Sequence, residues 1–228
     1  MATRALLGEL TRAFSARGAH AIVLESAGGV DVVRRVRAGE AFDVVVLAED
    51  ALDTLAASGH VEADSARALA LSGVAVAVRA GAARPAIDSE EAVRRAVFAA
   101  RSIGLSTGPS GAALIRLFER WGIAPEVRGR IVVAPPGVPV GTLVARGEVE
   151  LGFQQRSELI QLGGIEVIGV LPPPIQIVTT FSAAVATATR QPQAARALLT
   201  FLASPAAAEA KRRHGMEPAD TDAGGDGR

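Results

Sequence analysis

The run Ser106-Thr107-Gly108-Pro109-Ser110-Gly111 joins an apolar-leaning stretch at 102–106 to the stripe Leu114, Leu117, Phe118 and Trp121. That stripe has the i, i+3, i+4, i+7 spacing of a helix with one buried face. Pro109 suits a first helical turn, where its missing N–H costs nothing. The reading is strand, tight turn, helix, and a chain built on such units is drawn toward an α/β fold. The first amides of the helix have no intrahelical partner and carry the positive end of its dipole. Ser106, Thr107 and Ser110 add hydroxyls beside them, and Gly108 and Gly111 keep side chains away from the backbone. The stretch can cradle an anion without a fixed positive side chain. It can equally be a capped helix start.

The remainder of the chain repeats this grammar. Helical patterns cover about 3–17, 30–37, 48–58, 89–100, 141–145, 155–161, 193–202 and 205–214. Val30, Val33 and Val36 form the inward stripe of the second of these. Strand patterns cover 20–24, 42–47, 74–78, 130–133, 149–153 and 165–170, with an extended segment at 175–186. Alternation of this kind implies an α/β fold with mainly parallel sheets, and the continuous apolar run at 42–47 points the same way. From Glu217 onward the Asp/Gly-rich sequence reads as disordered.

An internal echo divides the chain. Arg37-Ala38-Gly39-Glu40 precedes the strand at 42–47, and Ala145-Arg146-Gly147-Glu148 precedes the strand at 149–153. Two similar α/β lobes explain the echo better than one sheet does. Lobe one is expected to hold 1–79 and 180–228, and lobe two 80–179, with hinges near 79–85 and 176–181. Ligands of open α/β sheets bind beyond the carboxyl ends of strands. The candidate ligand loops are therefore 26–29, 48–50, 72–73, 106–111, 135–140 and 154–156, meeting in a cleft between lobes. The candidate ligand residues on them are Ser26, Gly28, Gly29, Ala48, Ser72, Ser106, Gly108, Ser110, Gly111, Gly137, Gln154 and Gln155.

Composition narrows the partners. The 228 residues balance 24 basic against 24 acidic side chains, so nucleic acid and anionic membrane, which need a basic excess, are not expected. Cysteine is absent, which removes disulfides, thiolate metal sites and a cysteine nucleophile. His20, His60 and His214 are isolated and fit no metal spacing. No cofactor or metal is implied. No apolar run approaches the ~20 residues of a membrane span. The first residues already read as an amphipathic helix rather than a signal peptide, so the chain as written is expected in the cytoplasm, as a monomer. A start upstream would make it periplasmic.

Several stretches resemble bacterial solute-binding proteins of the molybdate type. They are 37–46, 71–79, Gly108-Pro109-Ser110-Gly111, 144–152 and Phe201-Leu202-Ala203-Ser204-Pro205. The resemblance implies a two-lobed periplasmic-binding-protein fold of type 2. It also implies a small anion held by hydroxyls and amides, and delivery to an ABC transporter permease. That family opens with a strand and a ligand loop before its first helix; Met1-Ala2-Thr3 stand there instead, so the first strand of lobe one is expected to be missing. The family's serine before the second helix reads Gly29 here, and its pocket tyrosine reads Gln155. The polar shell is thus altered, and amide side chains at Gln154 and Gln155 suit an organic carboxylate as well as an oxyanion. One similar branch includes aconitate isomerase, an enzyme on the same fold, so a proton shift on a tricarboxylate is the alternative function.

Residues for catalysis are few. Ser26, Ser106 and Ser110 lack a paired His and Asp. Glu49, Asp50 and Glu25 could act as bases but also suit helix starts. Arg79 and Arg156 could meet a ligand carboxylate through paired hydrogen bonds.

Overall fold

The computed structural model describes residues 2–18 and 20–219. In chain order the elements are α1 (Arg4–Ser15), α2 (Gly29–Arg37), β1 (Val44–Ala48), α3 (Glu49–Ala57), β2 (Arg67–Arg79), α4 (Glu90–Ala99) and β3 (Ile103–Leu105). Then come α5 (Pro109–Arg120), α6 (Ala124–Val127), β4 (Ile131–Val133), α7 (Val140–Arg146), β5 (Leu151–Gln155) and α8 (Arg156–Leu159). β6 (Ile165–Val170), β7 (Val178–Val185), α9 (Pro192–Ala203), α10 (Ala208–Arg213) and β8 (Glu217–Pro218) complete the series.

The chain forms two compact units, one of Met1–Leu71 with Thr180–Arg228 and one of Ser72–Thr179. The passages between them fall inside strands, at 71–72 in β2 and at 179–180 in β7. The 79–85 stretch, read from sequence as a hinge, lies within the second unit.

In the first unit β1 pairs antiparallel with β7, Val46 opposite Ala183. This corrects the expectation of parallel strands here. The strand at 42–47 is apolar because it is sandwiched: Val44 and Val46 pack toward α1, α9 and α10, while Val45 and Leu47 pack with Val36, Leu52 and Leu55. α1 contributes Leu6, Leu7, Leu10 and Phe14 to the first of these cores, and Phe14 lies 5.6 Å from Phe201. Each such buried side chain contributes about 1.5–3 kcal/mol of apolar burial.

Three expectations fail in this unit. Residues 20–28 form no strand or helix; Val23 is 87% exposed, and no strand pairs with this stretch. An apolar pattern becomes a strand only where a neighbouring strand takes up its backbone groups. Val30 is 85% exposed rather than inward, because α2 starts at Gly29 and turns Val36 to the core instead. Glu217 and Pro218 are ordered as β8, pairing with Leu71 and Ala70; the rest of the expected tail, 220–228, lies outside the described residues.

The second unit carries the parallel strands. β3 lies between β4 and β5, parallel to both. β5 and β6 each pair antiparallel with β2, so this sheet is mixed. The core is the one expected from the helical stripe. Leu114, Leu117 and Phe118 of α5 are buried with Phe153 of β5 and Ile103 and Leu105 of β3. Trp121, half-buried, stacks 5.9 Å from Phe118 and donates from Nε1 to Glu90 at 2.6 Å. Gly104 and Gly152 bring α7 onto the sheet: a β-carbon at either would lie within 2.6 Å of a valine methyl of that helix.

Candidate functional site

Because β3, β4 and β5 are parallel, their carboxyl ends share one rim of the second unit. The segments that leave this rim are 106–112, 134–140 and 154–158. At the first, Ser106 Oγ and Ser110 Oγ lie 3.2 Å apart. One hydroxyl proton bridges the pair, which leaves the other free to donate outward. No side chain caps the start of α5; its N-cap is Gly108. By contrast, Ser89 caps α4 by accepting from Ala92 N at 3.2 Å. The helix start at 106–111 is therefore not a side-chain-capped one.

The free donors there are fewer than the sequence suggests. Gly111 N and Ala112 N both donate to Gly108 O, at 3.0 and 3.3 Å. Pro109 has no N–H, so the Ser110 amide is the first helical donor without an acceptor among the described residues. The role of Gly111 also changes. A β-carbon there would sit 1.9 Å from Ser106 O, so the glycine admits the chain's own carbonyl rather than a ligand. Gly137 takes φ 80° in the turn that closes with Val138 N donating to Pro135 O, and its place is explained by that turn.

Strand alternation separates the two glutamines. Gln155 follows Phe153 on the face that α5 covers. It is 5% exposed, its Nε2 donates to Thr179 Oγ1 at 2.7 Å, and its Oε1 is buried with no partner. Gln154, 3% exposed, points to the other face. Its Oε1 accepts from Val140 N at 2.8 Å, which turns its Nε2 to Glu158 Oε2. Burial pushes the Glu158 carboxyl above the usual carboxylate range, against the hydrogen bond from Gln154. Ser72, fully buried on β2, shares a 3.3 Å contact with Ser157. Of the candidates in the second unit, Ser106 and Ser110 meet directly, whereas Ser72 meets Ser157 and Gln154 and Gln155 take separate partners on opposite faces.

The first unit holds the remaining candidates. Gly28 is the N-cap of α2 and Ala48 the N-cap of α3, neither with a side-chain cap. Gly29 stands over Leu47, a β-carbon there being 3.8 Å from Leu47 Cδ2. Ser26 is exposed on the segment before α2. Ser182, opposite Leu47 on β7, has a buried hydroxyl without a partner.

Sequence reasoning missed Ser157, Glu158, Thr179 and Ser182. Rim position after β5 was a signal available for Ser157 and Glu158; Thr179 and Ser182 lie on a strand with no such signal. Among the described residues no group of three His, Asp or Glu side chains could hold a metal ion. None of the described helices is long and apolar enough to cross a membrane.

The order of elements and the rim at the strand ends define the periplasmic-binding-protein fold of type 2. The structure of the periplasmic molybdate-binding protein of Azotobacter vinelandii superposes with a TM-score of 0.79 over 96% of both chains, at 20% identity. A sulfate-binding protein of Mycobacterium tuberculosis gives 0.71 over 96% of this chain and 83% of that one, at 18% identity. The chain belongs to the bacterial extracellular solute-binding protein family, whose model matches residues 1–217. An aconitate isomerase of a Pseudomonas species is 40% identical over 188 residues, 82% of this chain and 71% of that protein.

Proposed function

We propose that this protein binds a small organic anion at the rim of its second unit, with the start of α5 as the anchor. The observation that carries the reading is the uncapped N-terminus of α5 with the Ser106–Ser110 hydroxyl pair beside it. An amide without an acceptor, a hydroxyl proton free to turn outward and the helix dipole all favour negative charge at one point. Gln155 Oε1, buried without a partner, is an acceptor for a ligand hydroxyl or protonated carboxyl. Arg156, half-buried on the same rim, supplies a guanidinium for a second carboxylate. Donors and acceptors of both kinds suit an organic acid better than a bare tetrahedral oxyanion. Membership of a solute-binding family supports delivery of the ligand to an ABC transporter permease.

A second reading is isomerisation of a tricarboxylate such as aconitate. It is favoured by the relative of that name at 40% identity. Calorimetry with molybdate, sulfate, citrate and both aconitates tests binding, and an NMR assay of trans-aconitate conversion separates the two readings. Saturable affinity without conversion leaves binding alone; conversion makes the protein an isomerase. No heat with any of the five anions would remove both readings.

A further inference from the structure

We infer that the free edge of β1, in the first unit, is a docking site for one extended strand. The occupant is a peptide segment of another polypeptide, uncharged, as long as β1, and apolar on both of its faces.

β1 is outermost in the order β1-β7-β2, so only one of its edges is paired. The phase of its hydrogen bonds shows what the other edge presents. Ala186 N donates to Asp43 O. Val185 turns the opposite way, its N donating to Ser65 Oγ and its carbonyl accepting from Glu62 N. Bonded and non-bonded pairs alternate along an antiparallel ladder. The bonded pairs are therefore Val45 with Ala184 and Leu47 with Ser182. Val44 and Val46 alternate with them and turn N–H and C=O to the free edge. None of these four groups has a partner among the described residues.

Edges that stay open in native proteins are blunted by a charge, a proline, a bulge or shortness. The other outer strands follow that rule. β4 has three residues and β8 has two. β6 carries Glu166, bonded to Arg84, and a register shift against β2. β1 has five residues, Val-Val-Val-Leu-Ala, in regular register and without a charge. Apolar cores cover both of its faces, as they cover a strand with neighbours on both sides.

A second stretch nearby also lacks a partner. Residues 20–24 have strand composition, and none of their amides or carbonyls is hydrogen-bonded among the described residues. Ile22 packs into the core that holds Val44 and Val46. Glu25 is held by Arg35, whose guanidinium lies 4.9 Å from the Phe42 ring just before β1. The stretch is tied close to β1 without bonding it. A lone strand offers one edge to β1 and a second edge to 20–24, whereas the β1 of a second copy carries helices on both faces. Side chains of the docked strand alternate between the α1 core and the α2–α3 core, so both sets are apolar. Residues 220–228 are Asp/Gly-rich and do not fit that pattern.

The test titrates the wild-type protein with a synthetic peptide of the sequence of residues 44–48, flanked by lysines for solubility. Amide hydrogen exchange is followed by NMR. The control peptide has proline at its centre, which removes a ladder donor. With peptide at about ten times its Kd, exchange at Val44 and Val46 should slow about tenfold. Residues 20–24 should slow with them, while Val45 and Leu47, already bonded to β7, change little. The proline peptide should have no effect. Unchanged exchange at Val44 and Val46 up to the solubility limit of the peptide, or equal slowing by the proline peptide, would overturn the proposal. Slow exchange at both residues before any peptide is added would also overturn it, and sedimentation as a dimer would then assign the edge to a second copy.

Discussion

A β-carbon on Gly111 would lie 1.9 Å from the carbonyl oxygen of Ser106, closer than any real contact allows. The first turn of α5 is seated directly on the end of β3, and only hydrogen fits between them. Gly111→Ala must therefore push α5 off the sheet and disturb Leu114, Leu117 and Phe118 behind it. We predict a loss of about 3 kcal/mol, the upper range for overpacking. Gly108→Ala is the control: its β-carbon would meet only Ser106 Oγ, at 3.8 Å, and its φ of −81° suits any residue. Urea unfolding of both variants checks the difference; equal stability would mean that the helix start is loosely seated.

Ser110→Ala removes a hydroxyl and leaves the fold in place, since Ser110 Oγ bonds only Ser106 Oγ. A hydrogen bond to a charged ligand is worth about 1.5–3 kcal/mol. Affinity for the bound anion should fall about tenfold or more, with the melting temperature of the ligand-free protein little changed. Calorimetry and a thermal melt read the two quantities separately.

Trp121 is the single tryptophan of the chain and donates to Glu90 Oε1 at 2.6 Å. Glu90 also lies in the first turn of α4, where its charge favours the helix dipole. Glu90→Ala removes both, together with the exposed contact to Arg120 at 3.4 Å. We expect about 1–2 kcal/mol of lost stability and a red shift of the tryptophan emission as water reaches the indole. An unshifted spectrum would show that the indole keeps its environment without Glu90.

Lys211, the only lysine, is 2% exposed in the first unit. Burial lowers its ammonium below the usual lysine range. The unfolded chain then binds the proton more tightly than the native state does. Stability should rise with pH through the window between the native and unfolded lysine values, and the penalty is present at neutral pH. Lys211→Met should stabilise the protein by about 1 kcal/mol and flatten that rise. Chemical denaturation at neutral and alkaline pH measures both effects.

Glu9 shows the opposite linkage. Hydrogen bonds from Arg213, then His214, hold its carboxyl below the usual carboxylate range. Its contribution is fully present above the unfolded carboxylate value and is lost as pH falls through the native one. Glu9→Gln should reduce the acid sensitivity of unfolding, read as a smaller fall in melting temperature on acidification.

The parts of the fold carried by local pattern were legible in the sequence. Leu114, Leu117 and Phe118 announce α5 because burial and helical period coincide. Gly59 ends α3 with φ 74°, as a C-terminal stop should. What depended on distant partners was not legible. The pattern at 20–24 promised a strand, but pairing is a property of two segments. β2 begins at Arg67 rather than 74 because β7 and β8, both far along the chain, pair with it, β8 at Ala70 and Leu71. The same holds for the candidate site. The serines of 106–110 could be placed by their helix start, whereas the buried Gln155–Thr179 bond joins residues 24 positions apart.

Binding of an organic anion at the start of α5 is tested most directly by one titration. Isothermal calorimetry of trans-aconitate into wild type and Ser110→Ala should give a saturable one-site isotherm for the first and at least tenfold weaker binding for the second. Equal affinity in the two proteins, or no saturable heat with wild type, would contradict it.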